Sequence, residues 1–348
     1  MIAIDSLINR NALDAIAKDW LKLIKGYMTE VKTGRSRFKE KKYDKTVFFS
    51  TRAKKSYCVI TSSESFKKLL KSRQRKIVEA LNDYYRYPEK YILADKDGLA
   101  DIATQLQCEK KWMVKFIKEE FKTLYEEFTK LYAYEFLKQL QIRTCPYCNR
   151  NYTFTIEKKG SKGFATRAEL DHFYDKSEYP LLALSFYNLV PSCHTCNHGK
   201  LVAKAGVNPY FQGFESQFKV IRPVVDVPRK DVPTTEVLNV NEVLNAKDKE
   251  DFSIAVQTID PDEQRNIEIF GIHELYNEHK DFVMDIIDKA NAYNAVGAQN
   301  LVDAFQGTGR SPQDVFNFVW GTDLDETEII NHPLSKLKQD ILKQIGVL

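Results

Sequence analysis

Four of the six cysteines fall into two pairs, Cys145-Pro146-Tyr147-Cys148 and Cys193-His194-Thr195-Cys196, with 44 residues between them. Each tight turn aims two thiolates at one point, and two such turns supply the ligands of a tetrahedral zinc ion. Four thiolates fill that tetrahedron and leave no position for a substrate, so the predicted role is structural. The separation exceeds the roughly 15–20 residues of a compact ribbon, which places an insertion between the knuckles. Six cysteines in 348 residues, with Asp5 and Asp14 breaking any apolar signal core, point to the reducing cytoplasm rather than to a disulfide scaffold. A redox reading of either pair would want a thioredoxin-like context, which the sequence lacks. Cys58 and Cys108 stand alone and read as small buried apolar residues.

The insertion carries the more reactive side chains. They lie in Glu169-Leu170-Asp171-His172-Phe173-Tyr174, in Asn188-Leu189-Val190-Pro191-Ser192, and in Cys196-Asn197-His198-Gly199-Lys200. Leu170, His172 and Tyr174 alternate with Asp171 and Phe173 as in a short strand, so Asp171 and His172 point to opposite sides. The stretch from Cys196 to Lys200 reads as the first turn of a helix. Asp171 and Asn197, brought together where strand meets helix, would offer two hard oxygen ligands to a Mg²⁺ ion that keeps its waters. His172 beside them has a side chain suited to take a proton from water. Each of these residues also has an ordinary use. An Asp-His dipeptide is commonly without function, Asn before a helix is commonly a cap, and His194 reads as a plain knuckle residue.

Taken together, Asp171-His172, Asn188 and Cys196-Asn197 between paired knuckles resemble the HNH endonucleases, over about residues 144–200. The resemblance implies a ββα-metal fold and metal-dependent hydrolysis of phosphodiester bonds, with DNA favoured over RNA. It implies that Asp171 and Asn197 hold a catalytic Mg²⁺ or Mn²⁺, that His172 is the general base, and that Asn188 pins the loop positioning His172. One departure is that many HNH proteins carry His where Asn197 stands, which leaves His198 as an alternative ligand. The longer run from Cys145 to Tyr152, with Asp171 to Pro180, is similar to the HNH subunits of Septu-type bacterial anti-phage defence systems. That likeness implies an ATPase partner. Lys176 and Lys200, close to these residues in sequence, are candidates for contacts to the nucleic-acid backbone.

Charge adds a second line. Between Lys32 and Lys76 the chain holds 16 basic and 3 acidic residues, although the whole chain carries only +4. Such a segment suits phosphate-backbone binding. A helix beginning near Ser65 would put Lys68, Lys71 and Arg75 on one face. The competing function class is a non-catalytic, zinc-stabilised protein that binds nucleic acid or docks a partner.

The remainder predicts an α+β fold, mostly helical: a basic helical region over 1–140, the HNH module over 141–205, and a mixed, mainly helical region over 206–348. Leu13, Ile16, Ala17, Trp20, Ile24 and Met28 recur at helical spacing behind an Asn11 cap. A long helix over about Lys110 to Leu140 carries Ile117, Phe121, Leu124, Phe128 and Leu131 as a stripe fit for a partner helix or an internal one. Strands are expected near Phe252–Thr258 and Ile267–Ile272, then a helix from His273 to about Asn294. Pro223, Pro228 and Pro233 suggest an extended crossing segment, and Ser311-Pro312 a helix start. No apolar run approaches the roughly 18 residues of a membrane span.

Overall fold

The computed structural model describes residues 4, 8–32, 83–84, 86–107, 111–158, 164–213, 215–223, 236–293, 295–305, 308–321 and 329–348. Lys68, Lys71, Arg75, nearly all of the basic segment around them, the helix expected from Ser65, Cys58, Cys108, Pro228 and Pro233 lie outside the described residues.

The first helix, α1 (Arg10–Lys32), turns Leu13, Ala17, Trp20, Ile24 and Tyr27 inward, steps of four and three that make one apolar stripe. Its cap is Asn9 rather than Asn11: the Asn9 side chain accepts the Asn11 backbone N–H at 2.8 Å. Short α2 (Pro88–Ile92) and α3 (Lys96–Gln107) lead to the long α4 (Lys111–Leu140). Trp20 of α1 meets Phe128 of α4 edge-on at 4.8 Å and Phe136 at 4.6 Å. Phe121, Leu124 and Phe128 of the expected stripe are therefore buried in an internal contact, whereas Leu131 is 57% exposed. Two buried bonds stitch this helical layer to the insertion between the knuckles. Trp20 Nε1 donates to the Leu184 carbonyl at 3.0 Å, and Ser185 Oγ donates to the Tyr91 carbonyl at 2.5 Å.

Strand β1 (Glu169–His172) pairs antiparallel with β2 (Leu189–Ser192), with Asp171 opposite Val190 and His172 opposite Leu189. Helix α5 (His194–Lys200) starts directly after the extended Cys193, earlier than the first turn expected from the Cys196–Lys200 stretch. Strand, strand and helix thus succeed one another, with α5 packed on β1.

The C-terminal region has its own hairpin, β3 (Gln217–Ile221) with β4 (Ser253–Gln257), separated by α6 (Val240–Leu244). In place of the strand expected near Ile267–Ile272, the chain forms α7 (Pro261–Ile269) and then α8 (Ile272–Asn277). The signal that decides is Asp260, whose side chain caps the Asp262 N–H with Pro261 at the first helical position. The single helix expected from His273 is divided into α8 and α9 (Lys280–Ala292), with α10 (Ala295–Ala304) next in the chain. Ser311 caps α11 (Pro312–Trp320) through a reciprocal bond with Asp314, as its sequence predicts. The last helix, α12 (Ser335–Gln344), covers the free edge of β3: Asp340 accepts the Phe218 N–H at 2.9 Å and Gln344 accepts the Val220 N–H at 2.8 Å.

Buried apolar residues from Ile4 to Ile345 form one contiguous cluster that runs through all three stretches of the chain. Among the described residues no helix is long and apolar enough to cross a membrane.

Candidate functional site

The two knuckles converge. Cys145, Cys148, Cys193 and Cys196 are all buried, and their sulfur atoms lie within 4.8 Å of one another. The Cys148 and Cys193 sulfurs are 3.9 Å apart, near the roughly 3.8 Å expected around a tetrahedral zinc with bonds of about 2.3 Å. The first knuckle closes through the Asn149 N–H on the Cys145 carbonyl at 2.7 Å, the second through the Asn197 N–H on the Cys193 carbonyl at 3.0 Å. Two donors face the sulfurs: the Arg150 N–H on Cys148 and the Asn151 amide on Cys193, each at 3.4 Å. Such donors favour thiolate over thiol. Burial pushes the Cys145 thiol up, while its hydrogen bond from Cys145 holds the Cys148 thiol below its ordinary value. Without a cation the four do not ionise together. A buried, all-sulfur donor set fits a structural metal such as zinc.

The first knuckle is also bolted to the C-terminal region. Asn149 takes the left-handed conformation with φ 48°, which Asn tolerates better than most residues. Its buried amide donates to the carbonyls of Ile329 and His332 at 3.1 Å each and accepts the Lys336 N–H at 3.1 Å. The Tyr276 hydroxyl donates to the Cys148 carbonyl, and the Tyr147 ring stacks on Phe270 at 4.3 Å.

Asp171 stands next to this centre but is engaged elsewhere. The Tyr147 hydroxyl donates to its Oδ2 at 2.8 Å and the Lys200 ammonium to its Oδ1 at 3.1 Å. Asp171 is 3% exposed and Lys200 1%. Burial raises the Asp171 carboxyl above its usual value, with Lys200 and Tyr147 opposing the rise. Lys200 also donates to the His172 carbonyl at 2.7 Å. Two expectations meet a different arrangement here. Lys200 does not face solvent, where a nucleic-acid phosphate would meet it. It occupies the cation position at Asp171 that the sequence assigned to a divalent metal. Asn197 has a different partner again, since its amide donates to Glu169 Oε2 at 2.6 Å. The Asp171 carboxylate is thus paired with Lys200, and the Asn197 amide nitrogen with Glu169.

His172 turns to the opposite side of β1, as alternation predicts. It is 5% exposed, with Nε2 at 3.0 Å from the Ala183 carbonyl and its ring edge-on to Tyr125 of α4 at 4.6 Å. Because a carbonyl only accepts, Nε2 of the neutral ring carries the proton and Nδ1 the free lone pair. Burial, reinforced by the Lys176 charge, lowers its pKa from 6.5 to about 3. Lys176 is half-buried with its ammonium 4.4 Å from the centre of the Tyr125 ring.

Asn188 is fully buried and fastens the loop after His172 at both ends. Its Oδ1 accepts the Tyr174 N–H at 2.7 Å, while its amide donates to the carbonyls of Tyr174 and Leu182 at 3.1 and 2.9 Å. Every polar atom of the side chain is used in holding that loop.

A further group joins His198, expected only as an alternative to Asn197, to His194, expected as a plain knuckle residue, and to Glu169, which sequence reasoning gave no role. Glu169 Oε1 lies 2.8 Å from His194 Nδ1, and its Oε2 lies 3.7 Å from His198 Nε2. The two imidazoles face each other at 3.9 Å. Glu169 shares the alternation of Asp171, and His194 and His198 are four apart on one helix, so the signal was in the spacing.

No family model, no curated protein and no solved structure matches this chain. The functional reading therefore stands on the residues.

Proposed function

We propose that this chain is a zinc-stabilised HNH-type nuclease that hydrolyses phosphodiester bonds in nucleic acid with a divalent cation. DNA is the favoured substrate over RNA, and the setting is bacterial anti-phage defence beside an ATPase partner. The observation that carries the reading is the ββα unit itself. One knuckle leads into a hairpin with His172 at the end of its first strand, Asn188 ties down the loop after it, and the second knuckle opens the helix packed on that strand. The basic stretch between Lys32 and Lys76 supports a polyanionic substrate.

In this reading His172 takes a proton from the attacking water. The ring is in the right state, because a pKa of about 3 keeps it neutral at any physiological pH. His172 is also largely buried, with its ring edge-on against Tyr125 of α4. A divalent cation would neutralise charge on the phosphate.

His172→Ala is expected to lower cleavage of DNA by about 10²- to 10⁴-fold in Mg²⁺ or Mn²⁺, with zinc content and circular dichroism unchanged. The depressed pKa adds a sign. Protonation sets in only as pH falls toward 3, so His172 imposes no acid limb on the rate between about pH 5 and 8. An unchanged rate in the variant would remove His172 as the base. Running RNA in parallel separates the substrates.

A second reading, a non-catalytic zinc scaffold that binds nucleic acid or docks a partner, is favoured by the burial of His172 and the Lys200–Asp171 ion pair. It predicts binding without cleavage by the wild-type chain.

A further inference from the structure

The outer side of the ββα unit carries a donor set that the zinc knuckles leave unused. Glu169 reaches out from β1, and His194 and His198 stand one above the other on α5, one carboxylate oxygen and two ring nitrogens all lying within 4.8 Å of one another. Their side chains are 35%, 72% and 62% exposed, so an ion in solution has direct access.

We propose that Glu169, His194 and His198 form a second divalent metal site, distinct from the four-cysteine centre. The chemistry of the donors selects the ion. Two imidazoles and a carboxylate suit Zn²⁺, Co²⁺, Ni²⁺ or Mn²⁺, whereas Ca²⁺ and Mg²⁺ prefer oxygen alone. The geometry is largely prepared in advance. Histidines four apart on a helix present both rings to one side, and this helix is anchored by Cys193 before its first turn and Cys196 within it. The third ligand comes from the strand against which α5 packs. Asn197, between the two histidines, donates to Glu169 Oε2 at 2.6 Å and fixes the carboxylate, the service an outer partner gives a metal ligand. Three protein ligands leave at least one position open for water or an anionic oxygen.

The site stands on this geometry alone. Its use in hydrolysis rests on the nuclease reading, where it supplies the divalent cation that Asp171 does not accept while Lys200 holds its carboxylate. A phosphate oxygen bound at the open position would lie on the α5 side of β1, whereas His172 faces α4. Joining the two in one reaction therefore requires the loop after His172 to rearrange.

The test is equilibrium dialysis of the full chain holding one zinc per molecule, free of excess zinc, against Co²⁺ or Mn²⁺, then elemental analysis. The wild-type chain is expected to bind one further ion, with cobalt showing the visible bands of a nitrogen–oxygen site and no new sulfur charge transfer. His194→Ala/His198→Ala is expected to keep its zinc and helicity and to lose the further ion, with affinity down at least about 10-fold. Glu169→Gln provides a single-substitution check on the same loss. A wild-type chain that binds no further ion, or a double variant that binds it as tightly as wild type, overturns the site. Cleavage that proceeds equally in the double variant leaves the nuclease reading standing and removes this site from it. A bound ion in a chain that cuts neither DNA nor RNA keeps the site and sinks the nuclease.

Discussion

Cys145→Ser is expected to release the zinc and to unfold the unit around it. Structural zinc sites contribute roughly 10–16 kcal/mol of apparent binding free energy in isolated fingers, and that energy is folding energy. Here the loss would spread, because the first knuckle also carries Tyr147, which bonds Asp171, and Asn149, which bonds the segment leading into α12. The expected result is a chain with little zinc and a melting temperature lowered by many degrees. Wild-type chain stripped by a strong chelator should behave the same way. Elemental analysis and thermal unfolding on the same samples check it. Zinc content and melting temperature both unchanged would show that Cys145 is not a ligand.

Lys200→Met is expected to be nearly as damaging, by a different route. The methionine fills a similar volume but leaves the Asp171 carboxylate buried without its cation, and breaking a buried pair from one side costs about 3–5 kcal/mol. The pH dependence has a definite sign. Burial already raises the Asp171 carboxyl in the folded chain, and removing Lys200 raises it further. A folded-state value above the unfolded one means stability present at low pH and lost as pH rises through the carboxylate range. The destabilisation should therefore be larger at pH 7 than at pH 4, as read from urea unfolding at the two pH values. Adding Asp171→Asn to Lys200→Met removes the orphaned charge and should recover part of the loss. A Lys200→Met chain as stable as wild type at pH 7 would mean that the ion pair does not form.

The range of each signal decided how much of this was legible in the sequence. The knuckles, the strand at Asp171-His172, the cap at Ser311 and the extent of α4 are local, written in spacings of two to four residues, and they read correctly. The pairing of Asp171 with Lys200 is not local. It depends on a four-carbon side chain reaching from the end of α5 across β1, which no periodicity encodes. Glu169 was visible on the same alternation as Asp171 but carried no meaning until α5 placed two histidines over it. The error at Ile267–Ile272 is of another kind. Ile267, Ile269 and Ile272 have the β-branched look of a strand, yet Asp260-Pro261 starts a helix before them, and capping outweighed a weak propensity.

Four buried cysteine sulfurs converge where a single zinc ion would hold the hairpin to the helix. X-ray absorption at the zinc edge tests this most directly, applied to purified His194→Ala/His198→Ala chain so that the outer imidazoles contribute nothing. The expected spectrum is that of one tightly held zinc per chain with four sulfur neighbours at about 2.3 Å. A folded chain free of zinc, or a shell in which nitrogen or oxygen replaces sulfur, would contradict it.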